Sequence, residues 1–249
     1  MSFLTVLPVR MDENMLFDCA RFMFVFPLIG ALLGFLAGLF GWVMSWVLPS
    51  LVVGGLVLGI LLLLTGLHHT DGLLDFGDGV MAHGTPEHKI EVMHDQLTGA
   101  GGLSLGIMIF LVTSFCLAYL DLSYGFWGIP VIVSSVVVAE VSAKLSMVVG
   151  AWAGRAVYKG MNSSFLAAMH GAKGNARLVA ALAISLGVAL PLLCLAGAVM
   201  VFVSVLVGLL MVKVAHRHFN GVTGDVLGAT NELSRMIALI TLLAVIQWV

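Results

Sequence analysis

Apolar runs dominate this chain and dictate the solvent it folds in. They can be drawn at about 22–46, 51–67, 103–120, 127–151, 178–213 and 236–249. Crossing a bilayer as an α-helix takes roughly 20 residues, so these runs read as membrane spans. The block 178–213 is too long for one crossing, and Pro191 near its middle predicts two spans joined by a very tight connection. That makes about seven. Lipid offers no partner to a backbone amide, so each span must satisfy its own hydrogen bonds as a helix. Only 10% of the residues are charged, too few to cover a soluble surface. The expected fold is all-α, a polytopic integral membrane helical bundle forming a single membrane-embedded domain over 1–249. The final run, 236–249, is short and spans only with help from residues before it.

Alternating those spans sorts the charge. One side receives the N-terminus and residues 68–102, 152–177 and 214–235, which hold Arg10, Arg21, Lys89, Arg155, Lys159, Lys173, Arg177, Lys213, Arg217 and Arg235. Lys144 lies within a span, and the opposite side has no lysine or arginine. The positive-inside rule makes the charged side cytoplasmic. The expectation is a multi-pass protein of the cell membrane with its catalytic loops in the cytoplasm and the lipid bilayer as solvent. Nucleic acid is not among the expected partners. Residues 1–18 are too interrupted to span and read as an interfacial segment without a cleavable-signal pattern. Cys19, Cys116 and Cys194 form no ligand or disulfide pattern and read as buried structural residues.

Residues 65–102 carry six of the thirteen acidic residues. Asp71, Asp75 and Asp78, spaced by four and three, share one face of a helix. Gly72, Gly77 and Gly79 interleave them. Hard carboxylate oxygens beside open space suit Mg²⁺ shared with a substrate's phosphates, whereas the blander reading is a solvated acidic loop. His68 and His69 precede the aspartates; a core histidine bonded to backbone is the alternative for either. Asp95, one turn before Gly99, reads as a further ligand or the group that orients a nucleophile. Glu140 and Lys144, one turn apart within a span, read as an ion pair. Arg155, Lys159, Asn162, Lys173 and Arg177 make a cationic loop of the kind that faces phosphates, although topology alone also places cations there. In the last loop Gly221, Gly224 and Gly228 frame Thr223 and Asp225, with Asn231 and Glu232 following. Such a segment offers N–H, hydroxyl and carboxylate groups to a phosphate, but it lacks the P-loop spacing.

Four stretches together resemble the cobalamin synthases (adenosylcobinamide-GDP ribazoletransferases): FLTVLPV at 3–9, HTDGLLDFGDG at 69–79, IEVMHDQLTGAGG at 90–102 and GVTGDVLGATNE at 221–232. His94 and Gln96 stand where that family has a basic residue and a serine, while Asp95 matches. The resemblance implies a Mg²⁺-dependent transferase of late cobalamin biosynthesis. In that reaction the ribose 3′-hydroxyl of α-ribazole, or of its 5′-phosphate, attacks the cobinamide-linked phosphorus of adenosylcobinamide-GDP and GMP leaves. On this reading Asp71, Asp75 and Asp78 hold Mg²⁺ on the pyrophosphate. Asp95 or His69 takes or orients the hydroxyl proton. Arg155 and Lys159 steady the leaving GMP, and Gly224 and Asp225, with Thr223, Asn231, Gly72 and Gly79, shape the phosphate pocket. The glycine-rich spans leave a homo-oligomer open.

Two rivals are weaker. The CDP-alcohol phosphotransferases also place aspartates on Mg²⁺, but their A-R after the D-G pair is absent, since Leu73 and Leu74 follow Gly72. A transporter would distribute polar residues through several spans rather than gather them on one face.

Overall fold

The computed structural model describes residues 20–120, 125–158 and 161–246. The segment 1–18 and Lys159 lie outside them. A 3-10 turn at Met23–Val25 leads into α1 (Phe26–Met44), followed by α2 (Ser50–Leu64), α3 (His68–Met81), α4 (Pro86–Met93) and α5 (Ala100–Ala118). Next come α6 (Val131–Ala153), α7 (Met161–Ala168), α8 (Gly171–Phe219) and α9 (Gly224–Ile246). Among the described residues no strand forms beyond a parallel bridge between Ala156 and Val222. The chain is an all-α, multi-pass membrane protein.

The axis of the bundle is α6. Every residue from Ile132 to Ala151 is buried, and α1, α8 and α9 pack around it. The approach of α1 is close because Gly30, Gly34 and Gly38 repeat at every fourth residue. A Cβ at Gly34 would stand 2.6 Å from the Val137 Cα. In lipid, where apolar side chains gain little by leaving their solvent, such small-residue contacts hold helices together through dispersion.

Five helices are long and apolar enough to cross a membrane: α1 with its preceding turn, α5, α6, α8 and α9. Counted as one broken span, α2 and α3, bent by 96°, would make a sixth among the described residues. The bend falls at Gly66 and Leu67, both with left-handed φ (63° and 60°). The expectation of about seven counts α8 twice. This 49-residue helix breaks at Cys194 (φ 49°, ψ −130°). A Cβ at Gly197 would lie 2.4 Å from the Ala189 carbonyl oxygen, whereas eight residues of straight helix span about 12 Å. The chain therefore doubles back there, three residues past Pro191. Cys116 is buried as expected, but Cys194 is exposed at this reversal.

Two sequence expectations change inside the bundle. The glycine-rich stretch before the last span is no loop, because α9 begins at Gly224 and carries Asn231, Glu232 and Arg235 inward as fully buried side chains. Arg235 is thus absent from the cationic loops. Its Nε donates to Glu140 Oε1 and its Nη1 to Glu232 Oε2. Lys144 Nζ donates to Asn231 Oδ1 at 2.6 Å, and Asn231 Nδ2 donates to Glu232 Oε1 at 3.1 Å. Glu140 and Lys144 are therefore not each other's hydrogen-bonding partners; both are bonded to α9. The reason is packing: α6 is buried on every side, so its polar groups find partners on the neighbouring helix as well as one turn along their own.

Candidate functional site

The charged segments meet at one end of the bundle. The Arg155 carbonyl accepts from Val222 N–H at 2.7 Å, tying the segment after α6 to the start of α9. Lys89 Nζ lies 3.0 Å from His218 Nδ1, tying α4 to the end of α8. Here α3 packs on α9 at backbone distance. A Cβ at Gly72 would stand 2.9 Å from the Asp225 Cα, and one at Gly228 would stand 3.3 Å from the His69 Cα. Gly72 thus admits a helix rather than a phosphate. Gly79 does the same, with a Cβ there meeting Met93, Phe219 and Lys89 at 3.0–3.2 Å.

Between these segments opens a polar cavity of about 410 Å³, lined by Asp71, Asp75, Met93, His94, Asp95, Gln96 and Thr98. Three of the expected site residues converge here from two elements: Asp71 and Asp75 lie one turn apart on α3, and Asp95 follows α4. The Asp95 carboxylate accepts from Leu97 N–H at 3.1 Å, a side-chain turn that holds the residue at the cavity wall. The charges of Asp71, Asp225 and Asp78 all act on Asp75. Four carboxylates repel one another where burial thins the water between them, so the arrangement favours a cation. Among the described residues no three His, Cys, Asp or Glu side chains form a ready metal cage. Mg²⁺ does not need one. It retains waters and is commonly bound through one or two carboxylates together with substrate phosphates, and Asp71 with Asp75 supply that donor set.

Asp78 has other work. Its Oδ2 accepts from Gly99 N–H at 2.7 Å and its Oδ1 from Gly102 N–H at 2.8 Å. Gly99, the N-cap of α5, has no capping side chain, so an aspartate from α3 takes that role. A Cβ at Gly102 would lie 2.3 Å from the Leu74 carbonyl oxygen, and glycine there lets α5 come close enough to be capped. Asp78→Ala is expected to leave the chain in the membrane and to cost about 0.5–2 kcal/mol of stability. Thermal unfolding in detergent measures it, and an unchanged midpoint would remove the capping role.

The remaining expected residues lie around the cavity rather than on it. His69 is 3% exposed, within reach of the charges of Lys144 and Arg235, and its Nδ1 has no hydrogen-bond partner among the described residues. Thr223 is buried and caps α9 through Val226 N–H at 3.3 Å while reaching Asp225 Oδ2 at 3.3 Å. Gly224 has open space where a Cβ would be. Asn231 is held in the buried network. Arg155 is exposed, and its N–H donates to His216 Nε2 at 3.2 Å. Asp225 stands beside the cavity, 3.9 Å from His94 Nε2.

Sequence reasoning missed Tyr158. Its hydroxyl is 3.2 Å from His94 Nε2, and the two rings pack edge to face with centroids 6.0 Å apart. Burial, and then the Asp225 charge, push the Tyr158 hydroxyl above its ordinary pKa, so it stays protonated. A lone tyrosine in a loop has no spacing that would single it out.

The model of one protein family, described as Cobalamin-5-phosphate synthase, matches residues 1–243. The chain is 32% identical over 257 residues to a protein of Methanosarcina barkeri named adenosylcobinamide-GDP ribazoletransferase, covering 99% of this chain and 90% of that one. A protein of the same name from Methanocella arvoryzae is 33% identical, with 96% and 91% covered. Another from Thermococcus kodakarensis is 31% identical, with 100% and 97% covered. No solved structure matches the chain.

Proposed function

Because the chain belongs to the cobalamin-5-phosphate synthase family, we propose that it transfers the cobinamide-linked phosphoryl group of adenosylcobinamide-GDP to the ribose 3′-hydroxyl of α-ribazole or its 5′-phosphate. The observation that carries this reading is the carboxylate-walled cavity, with Asp71, Asp75 and Asp95 on its lining. Phosphoryl transfer asks a protein mainly for positioning and charge stabilisation, and a diphosphate substrate brings negative charge to a wall of carboxylates, a combination that calls for a cation. When bound, Mg²⁺ would neutralise charge on the pyrophosphate oxygens.

The chain's own residues divide the task. Asp71 and Asp75 would hold the cation, and Asp78 keeps α3 and α5 in register beside them. The 3′-oxygen forms a bond to the cobinamide-linked phosphorus while the bond from that phosphorus to the GMP oxygen breaks, its electron pair leaving on GMP. The hydroxyl proton passes to Asp95, which lines the cavity, whereas His69 lies buried behind it. Gly224 and Asp225, at the open end of α9, border the phosphate pocket. Arg155, exposed on the segment after α6, would steady the leaving nucleotide, a role the family resemblance also assigns to Lys159. The charge distribution favours a cytoplasmic position for this end of the bundle, and our reading takes the membrane to be the cell membrane.

The purified protein in nanodiscs, given adenosylcobinamide-GDP, α-ribazole and Mg²⁺, is expected to release GMP with a matching new corrinoid. Absence of both products from a folded preparation would sink the assignment. Omitting Mg²⁺ with chelator present tests the cation separately.

A further inference from the structure

Of the side chains on the cavity wall, His94 is the one that can carry a positive charge; the wall is otherwise carboxylate, amide, hydroxyl and thioether. A phosphate-bearing substrate entering here meets three carboxylates and one imidazole. The imidazole is held from two directions. Tyr158, from the segment after α6, engages Nε2 at 3.2 Å, and Asp225, on the first turn of α9, faces the same nitrogen at 3.9 Å. The ring also packs against the Tyr158 ring. Two elements besides its own therefore fix one half-exposed side chain, more restraint than a solvated surface histidine attracts.

The direction of the hydrogen bonds decides what His94 can do. With the Tyr158 hydroxyl protonated and donating to Nε2, a neutral imidazole carries its proton on Nδ1. In that arrangement Nδ1–H is a donor. We infer that His94 donates from Nδ1 to a phosphoryl oxygen of the phosphate-bearing substrate, and that Tyr158 holds the ring in the orientation that allows it. The inference rests on the phosphoryl-transfer reading above and adds an imidazole N–H donor to a described wall that is otherwise rich in carboxylates. Preorganised donors aimed at phosphoryl oxygens act most strongly where charge develops during transfer, so the contact bears more on turnover than on capture of the nucleoside.

The test uses the full chain in nanodiscs with His94→Ala, His94→Asn, His94→Gln and Tyr158→Phe. An asparagine amide places an N–H near the position of Nδ1, and a glutamine amide near that of Nε2. His94→Ala is expected to lose about 10²-fold in kcat. His94→Asn should recover most of that loss while His94→Gln stays near the alanine value. Tyr158→Phe should lose about 3- to 10-fold, the scale of one neutral hydrogen bond. The KM for α-ribazole should be unchanged throughout, which a general loosening of the site would not allow. A second readout is binding of GDP with Mg²⁺ by calorimetry, expected to be about tenfold weaker in His94→Ala, as loss of one hydrogen bond to a charged oxygen predicts. Wild-type turnover with His94→Ala equally active would overturn the contact and leave the assigned reaction standing. No wild-type turnover, but GDP binding that weakens in alanine and recovers in asparagine, would overturn the assigned reaction and keep the contact. GDP binding that is equal in wild type and alanine, or absent from both, would overturn the contact on its own.

Discussion

Asp75→Asn loses about 10²-fold or more in turnover while the protein inserts, folds and binds detergent as before. The effect is large because Asp75 stands at the centre of the charge cluster, acted on by Asp71, Asp78 and Asp225, and lines the cavity itself. If Asp75 holds the cation as proposed, its substitution removes one of the two hard oxygen ligands that Asp71 and Asp75 offer. The same change should not destabilise the apo protein. Without a cation the carboxylates repel one another, so neutralising one of them raises the thermal midpoint or leaves it unchanged. Opposite movements in activity and stability separate a functional carboxylate from a structural one, for which both would fall. Initial rates of GMP release and a thermal melt on the same preparation measure the pair. Glu87→Gln and Glu91→Gln, which are exposed on α4 and absent from the cavity wall, serve as controls with rates within about twofold of wild type. A near-normal rate in Asp75→Asn would remove the cation role of this carboxylate.

What the sequence made legible follows from how local each signal is. Helices in lipid are set by apolar length, so the bundle could be read from runs of residues, and Pro191 marked the reversal of α8 to within three positions. The aspartates of α3 could be read because a 4-3 spacing puts them on one helical face whatever surrounds the helix. Partner choice could not be read the same way. Asp78 shares that face with Asp71 and Asp75, yet its oxygens are engaged by Gly99 and Gly102, more than twenty residues away, because α5 starts there without a cap of its own. The glycines misled for a related reason. Open space beside a carboxylate and close passage of a second helix both require glycine, and only the fold shows that Gly72 meets α9. The stretch from Gly224 to Arg235 looked like a loop because its polar residues are costly in lipid. Inside the bundle those residues pair with one another and with Glu140 and Lys144 of α6, which removes much of the objection to a helix.

That mutual satisfaction sets up the largest stability effect expected in the molecule. Arg235 is fully buried between Glu140 on α6 and Glu232 one turn earlier on its own helix, and the latter also accepts from Asn231. Arg235→Met leaves two carboxylates in the interior without their cation, a change that typically costs about 3–5 kcal/mol. Folded proteins hold roughly 5–15 kcal/mol in reserve, so much of it would be gone. The expected result is a sharply lowered thermal midpoint in detergent and a poor yield of monodisperse protein. Lys144→Met should be milder, about 1–3 kcal/mol, because the hydrogen bond it breaks ends on the neutral Asn231 oxygen while Arg235 still pairs with both carboxylates. The combined Glu140→Gln, Glu232→Gln, Arg235→Met variant should recover much of the loss, since breaking a buried ion pair is worse than replacing all of it. A wild-type midpoint for Arg235→Met alone would show that these charges do not hold α9 to α6. The consequence reaches the cavity because α9 is one rigid piece. Its first turn carries Asp225 against the backbone of Gly72, so a helix released at Arg235 would move the carboxylate that faces His94. In the Lys144→Met variant, mild enough to stay folded, any loss of turnover beyond the loss of folded protein measures how far that buried anchor sets the geometry of the site.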